Sequence, residues 1–139
     1  MQSPDAIVIG AGIVGASSAL SLTNAGLKVL VIDRGAVSSG TTGAGEGNIL
    51  VSDKDPGPEL TLALRSRDLW FEMQEDVGDT FELEAKGGVV VARNEDGPLL
   101  KLAAEQSEHG VRIQKLDHAS LHELEPYLHP EFHSGVFYP

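Results

Sequence analysis

The sequence predicts an α/β fold, because two short apolar runs rich in β-branched residues flank a helical segment near the N-terminus. Residues 6–9 and 27–32 are almost continuously apolar, as is typical of strands buried inside a parallel sheet with helices on both faces. Residues 13–25 between them are mostly small or apolar, and Gly26 follows where a helix end favours left-handed backbone. Strand, helix and strand in this order predict a parallel βαβ unit.

A long helix is predicted after the first 50 residues. Residues 55–59 place prolines and Glu59 where a helix begins, and the helix is expected to run to about residue 76. Large apolar side chains recur along it at roughly helical spacing, which predicts a buried stripe. The members of this stripe are Leu60, Leu64, Trp70, Phe71 and Met73.

The remaining residues predict shorter elements. Residues 81–84 and 88–92 are expected to form two strands joined by a turn, followed by a helix over 98–108 and a strand over 111–116. Asp117 is expected to cap a helix that ends before Pro126, and a last strand is expected to begin at Gly135.

These elements divide into two predicted domains. Residues 1–80 are interpreted as the N-terminal portion of a dinucleotide-binding domain, and residues 81–139 as the beginning of a second, mixed-sheet substrate or cap domain. A doubly wound sheet needs more strands than this chain supplies, and a strand begins in the final residues. We therefore expect an incomplete fold, completed by a missing C-terminal part or a partner subunit.

Composition excludes several classes of protein. The 21 acidic residues outnumber the 10 basic residues, and the formal net charge of −11 would repel nucleic acid and anionic membrane surfaces. There is no cysteine, so disulfides and thiolate chemistry are excluded within these residues. The N-terminus has no basic region of the kind that opens a signal peptide, and no apolar run is long enough for a membrane span. We expect a cytoplasmic protein.

The strongest motif is GxGxxG, formed by Gly10, Ala11, Gly12, Ile13, Val14 and Gly15. It follows a predicted strand and opens a predicted helix, and Asp33 ends the next strand roughly 20 residues later, as in a Rossmann-type unit. Gly10 is expected to make the tight turn, Gly12 to let a pyrophosphate approach the backbone, and Gly15 to let the helix pack on the sheet.

Asp33 is expected to accept hydrogen bonds from a ribose diol. A 2′-phosphate would be repelled by its carboxylate, although Arg34 could compensate in part, so NADP is the least favoured dinucleotide. The alternative interpretation is that the glycines serve packing alone. The motif by itself leaves NAD and FAD open.

The glycine fingerprint, residues 29–34, the Ser/Thr/Gly-rich segment 38–48 and the strand 87–92 together resemble the D-amino-acid oxidase superfamily of FAD-dependent oxidoreductases. This superfamily includes glycine oxidases, sarcosine oxidases and D-amino-acid dehydrogenases. The resemblance covers essentially the whole chain, and it implies FAD as the cofactor and an amine or amino acid as the substrate. It also implies that flavin is the hydride acceptor, and that relatives continue for a few hundred residues.

The resemblance further implies which residues approach the cofactor beyond the fingerprint. By position these are Thr41, Thr42, Gly45, Gly47 and Asn48, near the pyrophosphate, the ribityl chain or the flavin ring. A solvated loop is the alternative interpretation of this segment. No catalytic residue is assigned within the chain.

Two other functions remain open at this point. One is the Rossmann domain of an NAD-dependent dehydrogenase, and the other is a non-catalytic flavoprotein subunit that acts only with partner chains. A metal site is not predicted: His118 and His122 are four residues apart on a predicted helix, but the sequence fixes no third ligand.

Overall fold

The computed structural model describes residues 3–78, 80–93 and 95–139. The chain forms two compact units, Met1–Asn48 and Ile49–Pro139. The boundary between these units lies after Asn48, and the division into two domains after residue 80 stays a prediction. In the second unit, Leu60 of the long helix is buried in the hydrophobic core, and Leu64 packs against that core.

The first unit contains the expected βαβ arrangement. Its elements are β1 (Ala6–Ile9), α1 (Ile13–Asn24), β2 (Val29–Ile32) and the short α2 (Thr41–Ala44). Strands β1 and β2 are parallel, with Ala6 opposite Val29 and Ile9 opposite Ile32. The short α2 was not expected, because a Ser/Thr/Gly-rich run favours loop over helix by composition.

One face of this two-stranded sheet is open. Residues that pair across parallel strands point to the same side, and alternate residues point to opposite sides. Val8 faces α1, since a Cβ on Gly15 of that helix would lie 3.4 Å from its Cγ1. The neighbours of Val8 therefore point away from α1. These four side chains are 45–83% exposed: Ile7, Ile9, Leu30 and Ile32. Within the described residues, the expectation of helices on both faces is met on one face only.

The second unit combines three helices with an antiparallel sheet. Its elements are α3 (Pro58–Val77), β3 (Gly88–Val91), α4 (Gly97–Glu108), β4 (Gln114–Leu116), α5 (His118–Leu124) and β5 (Gly135–Tyr138). The strand order is β3-β5-β4, so the last strand in sequence lies in the middle. The expected cap of α5 is present, because the Asp117 carboxylate accepts a hydrogen bond of 2.9 Å from the Ser120 N–H.

Two predicted strands differ from the structure. Residues 81–84 form no strand; this segment is held against α3 by side-chain contacts instead. The rings of Trp70 and Phe81 meet edge to face with centroids 5.7 Å apart, and Gln74 donates a hydrogen bond of 3.2 Å to the Leu83 carbonyl. The predicted strand over 111–116 is shorter than expected and pairs only from Gln114 to Leu116.

The core of the second unit lies between the sheet, α4 and the start of α3. Of the five residues in the predicted stripe on α3, Leu60 is buried in this core, and the other four are only half-buried. Apolar side chains from each element meet there and exclude water, which is the main stabilising term. The buried members of the cluster are Val51, Leu60, Ala103, Val111, Val136 and Tyr138.

Leu121 on α5 provides a stability test of this unit. Its side chain is completely buried, whereas Leu124 on the same helix is 45% exposed. Replacing Leu121 by alanine is expected to lower the free energy of unfolding by about 2–5 kcal/mol, because a buried cavity is left. Leu124→Ala is the matched control and should cost less than about 1 kcal/mol. Urea unfolding, followed by the fluorescence of Trp70, measures the free energy of unfolding of both variants. Equal losses in the two variants would contradict the burial of Leu121.

Candidate nucleotide-binding site

The glycine-rich turn leaves β1 and enters α1 with almost no room for side chains. Gly10 has a φ of +110°, which favours glycine, and its N–H donates a hydrogen bond of 2.8 Å to the Ile32 carbonyl. A Cβ on Gly15 would collide with the carbonyl oxygen of Gly10. The turn and the first helical turn are thus packed backbone against backbone.

Asp33 holds this turn from the end of β2. Its Oδ2 accepts a hydrogen bond of 2.7 Å from the Ala11 N–H, and its Oδ1 accepts one of 2.8 Å from the Gly35 N–H. These bonds, the one from Ala11 above all, hold the pKa of the Asp33 carboxyl below its usual value. Each carboxylate oxygen keeps a further lone pair, so the group can still accept a hydroxyl proton. Sequence reasoning assigned Asp33 to a ribose and missed its bonds to the turn.

The N-terminus of α1 is open to an anion. Gly12 precedes the helix without a capping side chain, and the first turn of the helix contains no acidic residue. The unpaired N–H groups and the helix dipole give this end a partial positive charge. The Ile13 N–H donates a hydrogen bond of 3.0 Å to Thr42 Oγ1. The Thr42 hydroxyl proton remains available to donate to a further acceptor.

A cavity of about 490 Å³ connects these features. It brings together five of the predicted site residues: Gly12, Asp33, Arg34, Thr41 and Thr42. The sequence predicted no cofactor contact for the rest of its lining, although three of these residues belong to the Ser/Thr/Gly-rich segment 38–48. The additional lining residues are Gly35, Ser38, Ser39 and Gly40.

Ser38 is the unusual residue of this segment. Its φ of 59° is a left-handed conformation that non-glycine residues adopt rarely, and its N–H donates a hydrogen bond of 3.1 Å to the Ala11 carbonyl. Its own carbonyl lies where a Cβ on Gly43 would be placed. The segment therefore folds back onto the glycine-rich turn.

A second cavity, of about 360 Å³, borders the start of α1. Gly12 and Thr42 line both cavities. The remaining fingerprint residues Ile13, Val14 and Gly15 line the second cavity, together with Gly10. Ala11 is tied to Asp33 through its N–H instead. The two cavities thus meet at the N-terminus of the helix.

The structure places the other predicted residues differently. Gly45, Gly47 and Asn48 lie on an exposed stretch beyond α2 and line neither of these two cavities. Gly47 has a φ of +74°, so this position favours glycine for its backbone alone. Contact of these three residues with a cofactor stays a prediction.

The donor set fits the pyrophosphate and adenosine end of a dinucleotide. At Gly12 a Cβ would lie 2.9 Å from Thr42 Oγ1, so a side chain there would press on the hydroxyl that accepts the Ile13 N–H. Backbone N–H groups, a threonine hydroxyl and the Arg34 guanidinium suit phosphate oxygens. The Asp33 carboxylate suits a ribose hydroxyl. Within the described residues, no cluster of three or more carboxylate or imidazole groups has a geometry suited to a metal ion.

A glycine-rich turn, a helix N-terminus and an acidic residue at the carboxyl ends of parallel strands are the arrangement of nucleotide-binding α/β proteins. The sequence assigns the chain to a narrower class within these proteins. It belongs to the DAO family of FAD dependent oxidoreductases, whose family model matches residues 5–139. FAD is thus the cofactor of the family.

Curated relatives agree with this family. The chain is 36% identical over 118 residues to a glycine oxidase of Bacillus licheniformis, which covers 81% of this chain and 30% of the relative. It is 28% identical over 141 residues to a monomeric sarcosine oxidase of Bacillus sp. (strain B-0618), covering 97% of this chain and 35% of the relative. The chain therefore spans about a third of the length of these two relatives.

Solved structures give the same fold. A glycine oxidase of Bacillus cereus ATCC 14579 matches with a TM-score of 0.83 at 29% identity, over 99% of this chain and 39% of that one. The L-proline dehydrogenase of P. horikoshii matches with a TM-score of 0.88 at 25% identity, over 99% and 37%. The α/β prediction is confirmed, as is the expectation that this fold corresponds to part of a longer one.

Among the residues that the structure describes, no helix combines enough length with enough apolar character to span a membrane.

Proposed function

We propose that this chain forms the part of an FAD-dependent oxidoreductase that binds the adenosine and pyrophosphate end of an extended FAD. The observation that supports this most strongly is the meeting of Gly12, Ile13 and Thr42 at the open helix N-terminus. Asp33 would accept a ribose hydroxyl while it holds the turn, and Arg34 would lie near the phosphates. Gly45, Gly47 and Asn48 would extend the site toward the ribityl chain and the flavin ring.

The reaction we propose is oxidation of the C–N bond of an amino acid or a secondary amine. The relatives named above support this substrate class, since two are glycine oxidases and one is a sarcosine oxidase. When bound, the flavin would supply the acceptor for a hydride from the carbon beside the amino group. The residues of this chain bind and orient the cofactor, and none of them is proposed as a catalytic residue.

The visible absorption spectrum of the purified chain, alone and after addition of FAD, tests the cofactor proposal. Flavin bands that remain after desalting are the expected result. A colourless chain that does not bind FAD and is thermally stabilised by NAD would overturn the proposal. Assays of the longer protein with amino acids and with secondary amines test the reaction. If neither class of compound reduces its flavin, the substrate assignment is contradicted.

Thr42 offers a substitution test of the phosphate-binding end. Thr42→Val keeps the shape of the side chain and removes the hydroxyl that accepts from the Ile13 N–H and would donate to a phosphate. We expect FAD affinity to fall about tenfold, the usual effect of losing hydrogen bonds to a charged ligand. Thr42→Ser retains the hydroxyl and is the control, with affinity near that of the native chain. Titration of flavin fluorescence measures both; similar losses would assign Thr42 a packing role only.

A second candidate function is a flavoprotein subunit that acts only with a partner chain. The open sheet face formed by Ile7, Ile9, Leu30 and Ile32 favours it, because an apolar face of this kind is normally covered. Covering could come from a continuation of the same chain or from a separate subunit. Size measurement of the chain by light scattering, with and without the C-terminal part of a relative, distinguishes the two. The NAD-dependent alternative is set aside, because the family depends on FAD.

We also propose a cytoplasmic location, with which the absence of cysteine from the sequence is compatible. Cell fractionation tests it directly, and recovery of the protein outside the cytoplasmic fraction would contradict it.

A further inference from the structure

The middle of the glycine-rich turn is held from both sides by one segment of the first unit. The Ala11 N–H donates a hydrogen bond of 2.7 Å to Asp33 Oδ2, and the Ala11 carbonyl accepts one of 3.1 Å from the Ser38 N–H. Asp33 and Ser38 are close in sequence, so the chain between them closes a short loop on Ala11. Both polar groups of the Ala11 backbone therefore serve to fix the turn.

The same segment contacts the turn region again at Thr42, whose Oγ1 accepts a hydrogen bond of 3.0 Å from the Ile13 N–H. Along the segment, Ser38 lies between Asp33 and Thr42. These three residues and Gly12 of the turn all line the cavity of about 490 Å³, and all of them belong to the first unit. Because the segment forms a wall of this cavity, the Ser38 bond fixes the middle of that wall.

The bond from Ser38 depends on an unusual backbone conformation. Among the described residues, Ser38 is the only one other than glycine with a positive φ. This conformation is unfavourable for residues with a Cβ, most of all for β-branched ones, whereas glycine and asparagine adopt it more readily. Since φ is the rotation about the N–Cα bond, a negative value would redirect the following chain relative to the Ser38 N–H. The bond to Ala11 and the position of Thr42 could not both be kept.

We propose that Ser38 is a positioning residue for the cofactor site: its left-handed backbone clamps residues 33–42 onto the glycine-rich turn and so holds Asp33 and Thr42 where FAD would meet them. This inference rests on the proposed function, since it takes the cavity to hold the adenosine and pyrophosphate end of FAD. It assigns the role to the backbone of Ser38, so the hydroxyl of this residue should be dispensable.

Three substitutions separate the backbone of Ser38 from its hydroxyl. Ser38→Gly and Ser38→Asn both remove the hydroxyl and accept a positive φ. Ser38→Val also removes the hydroxyl, but its β-branched side chain strongly disfavours a positive φ. Ala36→Val is the matched control, because Ala36 lies in the same segment, is exposed, has no positive φ and lines neither cavity.

Hydrogen–deuterium exchange of the cofactor-free chain is measured first, for peptides covering residues 33–43, and FAD affinity is then measured by titration of flavin fluorescence. In Ser38→Val we expect faster exchange of these peptides. We also expect about tenfold weaker FAD binding, because only molecules with the clamped segment are competent to bind. Ser38→Gly, Ser38→Asn and Ala36→Val should keep exchange and affinity near those of the native chain.

Equal losses of affinity in Ser38→Gly and Ser38→Val would overturn the inference, because the hydroxyl would then carry the effect. Native exchange and affinity in Ser38→Val, or an equal loss in Ala36→Val, would overturn it as well. If Ser38→Val does not fold, Ser38→Gly decides alone, since a loss of affinity in that variant contradicts a backbone role. A native chain that binds no FAD would overturn the proposed function and with it the cofactor role of Ser38, whereas the exchange comparison would still show whether Ser38 clamps the segment.

Discussion

Gly15→Ala is expected to abolish detectable FAD binding, although it adds only one methyl group. The new Cβ would occupy the position of the Gly10 carbonyl oxygen, which is backbone and cannot rotate away. Helix α1 must therefore shift from the turn, and its N-terminus shifts with it. Forced overpacking of this kind costs about 1–3 kcal/mol of stability and occasionally more. Flavin fluorescence titration measures the loss of binding, and thermal unfolding measures the loss of stability.

Gly88→Ala is the control for this prediction. Gly88 lies on β3, and a Cβ there would meet no heavy atom within 4 Å. The same substitution should leave FAD affinity unchanged and should leave stability equal or slightly higher, since alanine restricts the unfolded chain. Near-native FAD binding by Gly15→Ala would show that the close contact between α1 and the turn is unnecessary for the site.

Asp33→Asn is expected to weaken FAD binding by about tenfold or more, the effect of removing a charged hydrogen-bond acceptor. One side-chain oxygen becomes an NH₂ group, which then faces the Ala11 or the Gly35 N–H as a second donor. The turn loses a restraint and the ribose loses a charged partner. Asp117→Asn is the control, because Asp117 also accepts a backbone N–H but asparagine caps a helix equally well. Comparable losses of affinity in both variants would contradict the proposed role of Asp33.

The lowered pKa of Asp33 also predicts a pH dependence. A carboxyl whose pKa is lower in the folded state stabilises that state above its unfolded pKa of about 3.9, and this stabilisation is lost as the pH falls through the folded value. The difference in thermal midpoint between the native chain and Asp33→Asn should thus be constant near neutral pH and shrink below about pH 4. A difference that grows as the solution is acidified would contradict this.

Local sequence signals were sufficient to predict the βαβ unit. The alternation of apolar runs, the glycines and Asp33 lie within one short stretch, so spacing alone predicted β1, α1 and β2. The start of α5 was predicted for the same reason, because a capping aspartate acts on the residues that follow it. By contrast, residues 81–84 alternate like a strand but have no strand partner, and contacts with α3 decide their conformation.

The unpredicted parts of the site depend on contacts between residues distant in sequence. Thr42 meets Ile13, and Ser38 meets Ala11, only once the chain has folded. Ser38 likewise gives no sign in the sequence of its left-handed backbone. The residue types of the candidate site could thus be predicted, whereas the bonds that shape it could not.

The central position of β5 has a consequence for how the second unit is made. Among the strands of the described residues, β3 and β4 do not pair with each other, and each pairs with β5. During synthesis β3 and β4 leave the ribosome before β5, and they cannot form the sheet until β5 has followed. This sheet therefore assembles in one late step, governed by contacts between residues far apart in sequence, which generally slow folding. Until β5 emerges, the nascent chain exposes unpaired strand edges to chaperones and to other chains.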